Sequence, residues 1–76
     1  MPLTDEQYES LNNYERRELL RQSTLRHLPV NRDSVNQIYD RLIEYLNRKG
    51  NKNIHLHWEM HYPETYRIMK RLGAIK

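Results

Sequence analysis

The chain has 76 residues, no cysteine and two glycines. That length allows one domain at most, and the missing cysteines exclude zinc fingers, thiol catalysis and disulfide frameworks. The formal net charge of +3 is unevenly spread: residues 1–47 carry six arginines against eight Asp and Glu, whereas residues 48–76 carry seven Lys and Arg against Glu59 and Glu64.

An apolar content of 37% and a mean hydropathy of −1.07 make a lean core. A domain this small buries only about 60% of its unfolded surface, so self-association or a partner is expected to assist it. There is no Phe, so six tyrosines and Trp58 must supply the aromatic burial. Tyrosine hydroxyls need partners, which favours positions near a surface or an interface. The segment 1–10 has neither the basic nor the apolar region of a signal peptide. No run approaches the ~18 apolar residues of a membrane span. The expectation is a single soluble, cytoplasmic domain with an acidic helical part (1–47) and a basic C-terminal part (48–76).

Thr4-Asp5-Glu6-Gln7 reads as a capping box, the hydroxyl at the N-cap and Gln three residues on. A helix is predicted over about 5–22, kinked or split near Asn12-Asn13, with Asn13 able to cap a restart. Leu11, Tyr14, Glu18 and Leu19 share its stripe, widened by Leu20. Arg16, Arg17 and Arg21 interleave with Glu15 and Glu18 as a solvated face. From Gln22 to Arg32 the chain connects, and Leu25, Leu28 and Val30 are expected on the core. Pro29 holds Leu28 extended, so the connector is a loop or short strand.

The cleanest amphipathic pattern runs from 33 to 49. Val35, Ile38, Tyr39, Leu42, Ile43 and Leu46 recur at steps of three and four, one face of a helix. Asp33 or Asn31 can cap its start, and Gly50 follows Arg48 and Lys49 at its end. Residues 54–61 are ambiguous. Ile54, Leu56, Trp58 and Met60 alternate with His55, His57, Glu59 and His61, as a strand would require, yet they also form i,i+4 pairs. A strand here could pair only with 24–30, so the balance leans to helix. Pro63 suits the first turn of a last helix, 63–72, stopped by Gly73. Tyr66, Met69 and Leu72, or Ile68 and Leu72, would face in, and Ile75 would fold back. The fold expected is all-α, a small bundle of three to four helices. The alternative is α+β with one short two-stranded sheet.

Enzyme templates fail, because there is no Gly-rich phosphate loop and no placed pair of carboxylates. The cofactor expected is none. His57 and His61 at i,i+4 are the candidate metal pair, but His57-Trp58-Glu59-Met60-His61 departs from the HExxH order and the metal expected is also none. The basic third is the electrostatic footprint of an anion binder. If 54–60 is helical, His61-Tyr62-Pro63 becomes a turn into 63–72, a helix-turn-helix-like arrangement. Arg48, Lys49, Lys52, Arg67, Lys70 and Arg71 are then the nucleic-acid-binding residues, and Trp58, Tyr62 and Tyr66 the partner contacts.

Arg41 to Lys49 followed by Ile68 to Gly73 resembles the closing helices of the small-subunit ribosomal protein numbered fifteen. The likeness covers about fifteen residues and implies RNA binding. The intervening stretch is longer here and the family's His/Asp/Ser-rich turn is missing, so membership is not assigned. The function expected is a non-enzymatic nucleic-acid-binding module, for DNA or RNA. The alternative is a protein-interaction module: a small subunit of an assembly, or an inhibitor docking on a partner enzyme. A second copy of the chain is among the partners considered, and a membrane is not. Trp58 separates the readings: buried it is core, and exposed beside Arg67 and Tyr62 it is a contact.

Overall fold

Thr4 does cap a helix, and its partner Gln7 closes the box. In a computed structural model of the chain, the Gln7 N–H donates to the Thr4 hydroxyl at 3.1 Å. The Thr4 N–H donates back to Gln7 Oε1 at 2.9 Å. The structure describes residues 3–23, 28–48 and 52–75, with only the backbone of Lys52. Among them are five helices and no strand: α1 (Asp5–Ser10), α2 (Asn13–Leu20), α3 (Arg32–Leu46), α4 (Lys52–His61) and α5 (Pro63–Arg71). The fold is all-α, and residues 54–61 are helical. The chain divides into two compact units, Met1–Arg41 and Leu42–Lys76.

In the first unit, the segment predicted as one helix over 5–22 is two. Leu11 is extended (φ −88°, ψ 134°) and buried, ending α1. Asn12, rather than Asn13, caps α2. Its Oδ1 accepts from the Glu15 N–H at 2.8 Å, and Glu15 accepts from the Asn12 N–H at 2.9 Å. The Asn12-x-x-Glu15 spacing is a second capping box. Leu19 is fully buried, and Tyr14, expected on the same stripe, is exposed. Both lie in α2, where positions five apart stand about 140° apart around the axis.

Arg16 is not part of a solvated face. Its guanidinium lies 4.0 Å over the Tyr8 ring and donates to the Tyr8 carbonyl at 3.0 Å, which ties α2 to the end of α1. Arg32 pairs with Asp5, and the Leu3 N–H donates to Asn36 Oδ1 at 2.7 Å. Asn31 caps α3, with Oδ1 accepting from the Ser34 N–H at 2.9 Å. Leu28 is half-buried, but Val30 is exposed, because the chain turns there into the α3 cap rather than along a core. Leu25 lies outside the described residues.

The core of this unit is Leu3, Leu11, Leu19, Val35, Ile38 and Tyr39. Burial pushes the Tyr39 phenol above its ordinary value of 10.0, while a hydrogen bond with Gln7 pulls it down and the Asp40 charge adds to the rise. A raised phenol binds its proton more tightly folded than unfolded. Its contribution is complete below about pH 10 and is lost as pH climbs through the folded value. Tyr39→Phe is expected to lose less stability between pH 9 and 11 than the parent, as read by urea melts at each pH.

The second unit holds the end of α3 with α4 and α5. Its core is Leu42, Leu46, Trp58, Ile68, Met69, Ala74 and Ile75, with Thr65 buried beside them. On α5 the inward residues are thus Thr65, Ile68 and Met69, whereas Tyr66 and Leu72 are half-buried. The expected end of α3 at 49 gives way to Leu46, and Lys49 and Gly50 lie outside the described residues.

The close of α5 is a Schellman motif. The Gly73 N–H donates to the Lys70 carbonyl at 3.1 Å and the Ala74 N–H to the Met69 carbonyl at 3.0 Å. Gly73 sits at φ 79°, and nothing lies within 4 Å of where a Cβ would be. A side chain there meets only backbone strain, so Gly73→Ala is expected to cost about 1 kcal/mol in a denaturant melt. The tail that follows is held by Asn47, whose Nδ2 donates to the Ala74 carbonyl at 3.1 Å. Ile75 is buried, as its apolar character at the tail leads one to expect.

Candidate nucleic-acid interface

The joint between α4 and α5 is one residue, Tyr62. Its N–H completes α4 by donating to the Trp58 carbonyl at 2.8 Å, and its own carbonyl accepts from the Tyr66 N–H at 3.0 Å to begin α5. Pro63 occupies the first helical position, where its missing N–H costs nothing. Helix-turn-helix motifs of DNA readers have turns of about three or four residues. The connection here is tighter, so the resemblance to such a motif is limited to two consecutive helices.

Arg67, Lys70 and Arg71 fall at i, i+3 and i+4 on α5, and all three are exposed. The opposite side of the helix carries buried Thr65, Ile68 and Met69, so the cations form its outward face. Arg67 donates to Glu64 Oε2 at 2.6 Å. Both side chains reach solvent, and a surface pair of this kind contributes little net stability, so Arg67 can exchange Glu64 for an incoming anion. Lys70 and Arg71 lie in the last turn, where positive charge also suits the helix C-terminus. Of the remaining predicted phosphate contacts, Arg48 is exposed just beyond α3. Lys49 and the Lys52 side chain lie outside the described residues, although the Lys52 backbone opens α4.

The three histidines of α4 part company. His55 is half-buried and links the three helical segments of its unit. Its Nε2 is 2.6 Å from the Leu46 carbonyl at the end of α3, and its Nδ1 is 3.1 Å from the Tyr66 hydroxyl on α5. A carbonyl only accepts, so Nε2 carries the hydrogen, and in the neutral ring Nδ1 accepts from Tyr66. Leu46 is the last residue of α3, so its carbonyl has no partner within the helix. His55→Ala strands both groups and is expected to cost about 2 kcal/mol. His57→Ala, at an exposed position, should stay within about 0.5 kcal/mol of the parent in the same melts. The alternating pattern placed all three histidines on one polar face, and the signal for the inward turn of His55 is helical: it lies three residues before Trp58, on the side of α4 that the indole buries.

His57 and His61 point outward with ring centroids 4.6 Å apart. Among the described residues, no group of three or more His, Asp or Glu comes together as a metal site. The pair instead starts a run of aromatic rings. His57 meets Tyr62 edge-on at 6.2 Å, Tyr62 lies 4.6 Å from Trp58, and Trp58 lies 6.2 Å from Tyr45 of α3. Trp58 is 9% exposed and packs as core, whereas Tyr62 and Tyr45 are 42% and 40% exposed. Tyr66, half-buried, spends its hydroxyl on His55. Leu56 and Met60, two apolar residues of the alternating pattern, are 60% and 68% exposed on α4.

No family model, curated protein or solved structure matches this chain. The short likeness to a ribosomal protein family therefore lends no residue a role. Among the described residues, no helix is long and apolar enough to cross a membrane.

Proposed function

We propose that this chain is a small, non-enzymatic nucleic-acid-binding module of the cytoplasm that uses the outward face of α5. One observation carries the reading: Arg67, Lys70 and Arg71 stand together on one exposed helical face, within a C-terminal third that has seven cationic residues against two carboxylates. Cations spaced within about one helical turn can contact neighbouring phosphates, and neutralising phosphates releases condensed counterions. The absence of cysteine suits a reducing compartment. Arg48, Lys49 and Lys52 extend the positive charge along the sequence around the start of α4.

The test is fluorescence anisotropy with labelled DNA and RNA over a salt series. The expected result is binding at low salt whose logarithm falls linearly with the logarithm of salt concentration. Failure to retain any oligonucleotide at low salt overturns the reading.

A second reading has its own support. Leu56 and Met60 are exposed apolar side chains at i,i+4 on α4, the kind of pair that docks on a protein surface. If α4 serves a protein contact, a second copy included, light scattering or capture by a defined partner should respond to Leu56→Lys and ignore salt.

A further inference from the structure

We infer that the nucleic acid bound is single-stranded, its bases stacking on the exposed rings of the second unit while α5 holds the phosphates. This rests on the nucleic-acid reading above and specifies its substrate.

The observation is the run of rings His61, His57, Tyr62, Trp58 and Tyr45, with successive centroids 4.6, 6.2, 4.6 and 6.2 Å apart. Of these only Trp58 is buried. Rings that serve a core are covered, and the other four are open. Duplex DNA shows proteins its base edges and phosphates, and stacked bases have no face to offer. Unpaired bases do expose their faces, and aromatic rings beside a positive groove are the usual way of taking them. Leu56 and Met60, exposed on the same helix, add apolar surface against which a base can lie.

Tyr62 has the central place. It stands at the joint that leads directly into α5, five residues before Arg67 and eight before Lys70 in the chain. Its main chain is hydrogen-bonded into both helices through Trp58 and Tyr66. Its ring also rests on Trp58, so it is positioned before any ligand arrives. Little further ordering is then needed on binding, which favours affinity. The one-residue joint also lacks the turn with which helix-turn-helix proteins seat a second helix in a duplex groove. Stacking with phosphate contacts is chemistry common to RNA and single-stranded DNA.

The experiment measures anisotropy of labelled oligothymidylate, oligouridylate and a blunt duplex of equal nucleotide number, with the full chain. The expected result is at least tenfold tighter binding of a single strand than of the duplex. Tyr62→Ala and His61→Ala should each weaken single-strand binding about fivefold or more, and Tyr62→Phe should restore it. His61 contacts only the His57 ring among the described ring contacts, so its variant tests the idea even if Tyr62→Ala unfolds the chain. Whichever of the two single strands binds more tightly assigns the sugar, and either supports the inference. Equal or tighter duplex binding, or ring variants with unchanged affinity, overturns it while leaving the nucleic-acid reading intact. No retention of any oligonucleotide overturns both. A homodimer dispersed by Met60→Lys, with no oligonucleotide bound, assigns the ring face to protein contact and likewise overturns both.

Discussion

Met69→Ala is expected to lower the free energy of unfolding by about 3 kcal/mol, within the usual span for truncating a buried methionine. Met69 lies on the inward face of α5 and has 0% of its surface exposed. The substitution removes transfer free energy and leaves a cavity, because the surrounding side chains relax only partly. A domain of this size has a total stability of about 5–15 kcal/mol, so the loss is a large fraction. Thermal melts should show a fall of more than about 10 °C. Met60→Ala is the internal comparison. Met60 is 68% exposed on α4, and its truncation should stay within about 0.5 kcal/mol of the parent. Similar losses from the two variants would contradict the placement of α4 and α5.

Replacing Arg67, Lys70 and Arg71 together by glutamine should remove three phosphate contacts at small cost to the fold. All three are exposed, so the helix is expected to survive with a loss of about 1 kcal/mol from its C-terminus. The effect on binding is larger. For single strands each neutralised phosphate contributes about 0.7 to the slope of log affinity against log salt. The triple variant should therefore lose about 2 from that slope and bind at least tenfold more weakly at low salt. Circular dichroism confirms folding and anisotropy reads the slope. A slope unchanged by the triple variant would remove α5 from the interface and turn attention to Arg48, Lys49 and Lys52.

The all-α fold was legible where local signals agreed with one another. Thr4 and Gln7 declared the first cap, the three-and-four spacing from Val35 to Leu46 declared the longest helix, and Pro63 with Gly73 bracketed the last. The restart at Asn12 was harder. Two adjacent asparagines are both good caps, and only Glu15 three residues on decides between them, through its bond to the Asn12 N–H.

The ambiguity at 54–61 had a different cause. Alternating apolar residues imply a strand only if all of them are buried. Here Trp58 is buried, and Leu56 and Met60 are exposed. Hydrophobicity alone does not distinguish a core side chain from a surface one, and tertiary packing decides it. The candidate interface was readable to the same degree. Lys and Arg declared the basic third, and helical spacing then gathers Arg67, Lys70 and Arg71. The Tyr45 end of the ring run was not readable, because Tyr45 is distant in sequence from Trp58 and meets it only when α4 packs beside the end of α3.

The position of Trp58 has an optical consequence. It is the single tryptophan of the chain, shielded from water yet 4.6 Å from the exposed Tyr62 ring and 6.2 Å from Tyr45. Its emission belongs to the interior, so its colour reports the integrity of the second unit. A base stacked on the outward Tyr62 ring is expected to change its intensity. One native chromophore thus carries two separable readings, unfolding through wavelength and occupancy of the Tyr62 surface through brightness, with no label attached.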